Sequence, residues 1–119
     1  MLLTLHHIQL AMPKGGEDAA HSFYHGVLAM TVVPKPATLA GRGGIWFESG
    51  AIRLHLGVET DFVPARKAHP AFTVASLDAT KAQLTSAGIA WHTDIDLPEF
   101  SRIYTADPFG NRIELLQLT

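Results

Sequence analysis

Four side chains able to bind a metal ion stand at matching places in this 119-residue chain: His7, His55, His69 and Glu114. Glu114 lies in the middle of an extended run, Arg112 to Leu118. Strand side chains alternate, so Ile113 and Leu115 share one face while Arg112 and Glu114 share the other. A carboxylate among apolar neighbours is costly to bury unless something pairs with it. His55 holds the equivalent place in the run Ala51 to Val58, where Ile52, Leu54, Leu56 and Val58 share a face and Arg53, His55 and Gly57 the other. His7 and His69 each fall in the opening strand of a half, again opposite its apolar residues. Two imidazoles and a carboxylate, with coordination positions left open, make a Lewis-acid site for Zn, Fe(II), Mn, Ni or Co. Taken singly, a strand histidine is an ordinary hydrogen-bonded residue and a strand glutamate a paired structural carboxylate. The shared register of all four argues for a site.

The elements that position them repeat. Leu3 to Met12 alternates as a strand, with adjacent His6 and His7 pointing opposite ways. Pro13-Lys-Gly-Gly16 ends it, and Glu17 to Met30 carries Ala20, Phe23, Val27 and Leu28 at helical spacing, with Glu17 and Asp18 in the first turn. Strands follow at Thr31 to Val33, Ile45 to Glu48 and Ala51 to Val58. Gly41-Arg-Gly-Gly44 reads as a flexible loop; it lacks the spacing of a phosphate-binding fingerprint.

Residues 59–68 read as a connector, and then the pattern restarts. His69 to Val74 is a strand, Ser76 caps a helix from Leu77 to Ala87, and Gly88 ends it. Ile89 to Ile95, Ser101 to Ala106 and Arg112 to Leu118 complete the set. Asp107-Pro-Phe-Gly-Asn111 is a turn built from residues that fix or permit unusual dihedrals. The expectation is an α+β fold: one domain, 1–119, of two βαβββ modules (about 1–58 and 69–119). The sheet curls like a barrel around a cavity, with the helices outside. Matching the halves sets His7 against His69, Ile45-Trp46 against Ile103-Tyr104, and Arg53-Leu-His-Leu56 against Arg112-Ile-Glu-Leu115.

Alternation alone adds Gln9, Trp46, Arg53, Tyr104 and Arg112 to the candidate substrate-binding face. Arg53 and Arg112 can hold an anionic substrate or close a salt bridge at the rim. Trp46 and Tyr104 either touch ligand or simply pack. His21, His25 and His92 show no matching register and read as surface residues.

Composition narrows the classes further. A hydrophobic fraction of 47% with 17% charged residues fits a compact globule and argues against disorder. A net charge of -2 gives no case for nucleic acid or an acidic membrane surface. There are no cysteines, hence no disulfide frame, thiolate nucleophile or thiolate metal site. No segment reads as a signal peptide or a membrane span, which makes the cytoplasm the default location.

Leu5-His-His-Ile-Gln-Leu-Ala-Met12, Phe23-Tyr24 with Val27-Leu28, Leu54-His-Leu-Gly-Val-Glu59, His69-Pro-Ala-Phe-Thr-Val74 and Asp107-Pro-Phe-Gly-Asn-Arg-Ile-Glu-Leu115 together resemble the vicinal oxygen chelate superfamily. That group contains glyoxalase I, extradiol dioxygenases, fosfomycin-resistance enzymes and bleomycin-resistance proteins. The resemblance spans essentially the whole chain, and the turn-and-strand at 107–115 is its most specific part. It implies a homodimer of paired modules and one divalent metal ion held by His7, His69 and Glu114. It also implies a small-molecule substrate chelated through vicinal oxygens, processed by lyase, isomerase or dioxygenase chemistry. His55 stands where glyoxalase I has a second glutamate, so it is a fourth ligand, a general base or a cavity-lining residue. The other implied reading is a non-catalytic sequestering protein of the bleomycin-resistance kind.

Overall fold

A computed structural model describes residues 1–119, which divide into two compact units, Met1–Pro64 and Ala65–Thr119. The division falls within the 59–68 stretch whose polarity and Pro64 mark it as a connector. Each unit is a four-stranded mixed sheet with a helix between its first and second strands, the α+β pattern that the sequence repeat predicts.

In the first unit β1 (Ile8–Met12) leads to α1 (Glu17–Ala20), β2 (Thr31–Val33), β3 (Ile45–Ser49) and β4 (Ile52–Val58). The sheet order is β1-β4-β3-β2. The helix crossover brings β2 back in the direction of β1, and two antiparallel steps, β2 to β3 and β3 to β4 across the Ser49-Gly50 turn, leave β4 parallel to its neighbour β1. The apolar face predicted for β4 is buried, with Leu54 and Leu56 both within 1% of complete burial. Phe47 on β3 lies beneath Tyr24, ring centres 5.4 Å apart.

The expected Glu17–Met30 helix is shorter and irregular. After four α-helical residues the chain widens into a π-helical turn, His21–His25, and leaves the helix by Gly26. Ala37–Arg42, which overlaps the start of the Gly41–Gly44 loop, forms a 3₁₀ helix. β1 also begins later than Leu3: residues 1–7 pair with no strand, so alternation does not govern His6 and His7. Their Nδ1 atoms approach to 2.9 Å rather than pointing apart.

The second unit repeats the order: β5 (Ala71–Thr73), α2 (Leu77–Ser86), β6 (Trp91–Thr93), β7 (Phe100–Ala106) and β8 (Arg112–Leu118), arranged β5-β8-β7-β6. Ser76 caps α2 by accepting a hydrogen bond from the Ala79 amide, and Gly88 follows the helix at φ +75°. β5 starts two residues after His69, because Pro70 has no N–H to offer the ladder; its carbonyl instead accepts the Glu114 amide.

The β7–β8 hairpin is closed by its turn. The Asp107 carboxylate accepts hydrogen bonds from the amides of Phe109 and Asn111 and from the Asn111 side chain, all within 2.9 Å. Gly110 takes φ +89°, which a side chain would resist. That turn sets the register opposing Tyr104 to Glu114, as Trp46 opposes His55 in the first unit.

A candidate site built on two matching sheet faces

In the second unit Glu114 is 6% exposed, and its pairing accounts for a charge at that depth. His69 Nε2 lies 2.9 Å from Oε1, and the Tyr104 hydroxyl donates to the same oxygen at 3.1 Å. Arg102 Nη1 lies 3.6 Å from Oε2. Burial first, and the bond to Glu114 second, push the Tyr104 pKa above the ordinary phenol value, so this hydroxyl stays protonated and donating.

The protons on His69 can be counted. Its Nδ1 lies 2.9 Å from the Lys67 carbonyl, which only accepts, so Nδ1 carries a proton. Its Nε2 faces a carboxylate oxygen, which also only accepts when ionised. One arrangement that satisfies both contacts is a neutral ring whose Nε2 lone pair shares a cation with Glu114. Two ligand atoms bound at about 2.0–2.2 Å, roughly at right angles, stand about 3 Å apart. The separation of Nε2 and Oε1 therefore fits an edge of a metal's coordination shell.

In the first unit the corresponding residue is neutral. His55 is 8% exposed and sits between flat rings, with Trp46 stacked at 3.8 Å and 2° and His7 at 4.4 Å and 19°. Burial, followed by the nearby His7 and His6 rings, holds its pKa below the usual imidazole value. His55 is therefore uncharged at neutral pH and free to accept a proton. Gln9 is its register partner on β1, and the Gln9 amide lies over Gly57, where a side chain would collide with it. Neither unit alone gathers three His, Cys, Asp or Glu side chains into a metal-binding cluster.

The remaining candidates separate. Arg112 lies with its guanidinium 4.1 Å from the centre of the Tyr104 ring, so it belongs to the Glu114 face. Arg53, opposite Glu48 in the ladder, is exposed and forms no ion pair. Sequence reasoning missed Arg102. It shares the Tyr104 face by alternation, and its guanidinium joins four groups: the Ile95 carbonyl at 3.1 Å, the Tyr104 oxygen at 3.1 Å, Asp94 at 3.5 Å and Glu114. The signal was its spacing of two from Tyr104, obscured by the irregular stretch before β7. His92 is exposed as expected, but it opposes Tyr104 in the ladder and its ring stacks on the tyrosine at 5.6 Å.

With this geometry in view, the comparisons with known proteins are specific. The chain belongs to the Glyoxalase/Bleomycin resistance protein/Dioxygenase superfamily, whose family model matches residues 4–115. It is 42% identical to a glyoxalase family protein from Bacillus anthracis, with a TM-score of 0.96, over 100% of this chain and 98% of that one. The fosfomycin resistance protein FosX from Listeria monocytogenes shares the fold at 15% identity and a TM-score of 0.80, over 100% and 96% of the two chains. So does TnmS3, an antibiotic binding protein from a Streptomyces species, at 19% identity and 0.76, over the whole of both chains. No curated protein matches. No helix of the chain is long and apolar enough to cross a membrane.

Because Arg102 links Asp94, Tyr104 and Glu114, Arg102→Ala is expected to lower the unfolding free energy by about 2 kcal/mol, with Arg102→Lys recovering less than half. Urea denaturation reads both. A wild-type midpoint for Arg102→Ala would show that these contacts do not hold the face together.

Proposed function

We propose that this chain is a small cytoplasmic enzyme that uses one divalent metal ion, with His7, His69 and Glu114 as its ligands. The substrate is a small molecule that offers the metal two adjacent oxygens. The observation that carries this reading is the His69–Glu114 contact. Nδ1 of His69 is committed to the Lys67 carbonyl and Nε2 faces a carboxylate oxygen at 2.9 Å, an arrangement a shared cation satisfies. Superfamily membership supports it, since the group includes enzymes as well as binding proteins.

A bound divalent ion would act there as a Lewis acid and stabilise oxyanion character on the substrate. The chain's own residues supply the rest. Tyr104, kept protonated, donates to Glu114 and holds that carboxylate in one orientation. Arg112 and Arg102 place positive charge beside Tyr104 and favour an anionic substrate. His55, kept neutral by burial, is the group we assign to take a proton from the substrate. Gln9, Trp46 and Arg53 are assigned to substrate contacts on the His55 face. His55 is read as a base rather than a fourth ligand because the His–His–Glu set already leaves open positions for substrate oxygens.

One observation favours a second reading. The parallel stack of Trp46, His55 and His7 is a flat, aromatic platform suited to holding a planar ligand without reaction, as a sequestering protein would. Metal titration with elemental analysis separates the two readings. His69→Ala and Glu114→Ala are expected to weaken binding about a hundredfold or more. His55→Ala is expected to keep the metal and lose turnover. Wild-type protein that stays metal-free after equilibration with Zn, Mn, Ni and Fe(II) in turn would leave only the sequestering reading.

The working form we assign is a homodimer. Each open sheet has two edge strands, β1 and β2 in one and β5 and β6 in the other, and unpaired edges call for partners. Light scattering is expected to report twice the 12.9 kDa chain mass. A concentration-independent mass equal to one chain would overturn the assignment.

A further inference from the structure

The wide turn that ends the first helix carries two histidines that the reading above does not use. We propose that His21 and His25 form a separate, open two-imidazole site for a borderline divalent transition ion (Zn, Ni or Cu(II)), with water completing its coordination.

Gly26 makes the widened turn possible. A Cβ at that position would stand 2.3 Å from the backbone oxygen of Ser22, which cannot yield as a flexible side chain can. Glycine permits the widened turn, in which the Gly26 amide reaches back five residues to the His21 carbonyl at 3.1 Å. Such widened turns are rare and occur frequently at functional sites. Here the turn buries Phe23 and Tyr24 and leaves His21 and His25 exposed on the other side.

The spacing of the two rings is compatible with one shared ion. Their centres are 4.7 Å apart with planes inclined at 39°. Imidazoles bound to a single ion at about 2.0–2.1 Å, with ligand angles between about 90° and 109°, place their ring centres roughly 4.5–5.2 Å apart. The tautomer also fits. His25 Nδ1 donates to the Met30 carbonyl at 2.7 Å, which fixes the ring orientation and, in the neutral ring, makes Nε2 the lone-pair nitrogen. A hydrogen bond from the other ring nitrogen to a carbonyl is the support that metal-binding histidines commonly have. His21 has neither nitrogen committed to a hydrogen bond. No third His, Cys, Asp or Glu joins them, so the site has two protein ligands and open positions.

This inference does not depend on the assignment of His7, His69 and Glu114, and the test keeps the two apart. The intact ¹⁵N-labelled chain is titrated with Ni²⁺ while each histidine ring is followed by NMR. The His21 and His25 ring signals are expected to broaden together at substoichiometric metal. His21→Gln is expected to raise the Ni²⁺ concentration needed to broaden His25 by about tenfold or more, because the second attachment is lost. Both side chains are exposed, so the variant keeps its fold, which the unchanged remaining spectrum verifies. Broadening confined to other histidines, or an unchanged His25 response in His21→Gln, would overturn the proposal.

Discussion

A carboxylate buried in the centre of a strand is the constraint on which the second unit is built. Glu114 sits between Ile113 and Leu115, both within 2% of complete burial, and an unpaired charge there would oppose folding. The surrounding elements answer that cost. The Asp107 turn fixes the hairpin register that brings Tyr104 opposite Glu114. Pro70 delays β5 and accepts the Glu114 amide, while His69, just outside the strand, reaches the carboxylate with its side chain. Arg102 closes the group from β7. The groups that make Glu114 tolerable at this depth also hold its carboxylate in one orientation.

The first unit uses the same frame with different chemistry. Trp46 and His55 take the ladder positions that Tyr104 and Glu114 hold in the second unit. A hydrogen-bonded anionic pair is replaced by a stacked neutral one. Burial, helped by the neighbouring His7 and His6 rings, lowers the His55 pKa, and the ring is held by stacking between Trp46 and His7. The repeat therefore offers two faces of one geometry, one suited to holding charge and the other to moving a proton or supporting a flat ligand.

Much of this was legible in the sequence because strand alternation is a strict rule. It placed Leu54 and Leu56 opposite His55, and Ile113 and Leu115 opposite Glu114, and the repeat then matched Trp46 to Tyr104. What escaped lies where that rule stops. His7 and His69 precede their strands, so their directions depend on Pro70, Lys67 and ring stacking rather than on pleat. Arg102 and His92 flank an irregular stretch that hides the pairing of β6 with β7. The widened turn at His21–His25 depends on a close approach between Gly26 and Ser22 that helical periodicity cannot register. His21 and His25 are exposed, as their lack of matching register implied, but their proximity across that turn was not legible.

The most direct test of the central claim is anomalous diffraction from crystals grown with Mn²⁺ or Zn²⁺, with data collected on both sides of the metal's absorption edge. The account predicts one strong edge-dependent peak bound to both Nε2 of His69 and Oε1 of Glu114, within about 2.3 Å of each. Its third protein ligand is predicted to be a His7 imidazole. Well-ordered crystals with no peak there, and with His69 and Glu114 still joined by a direct hydrogen bond, would contradict it.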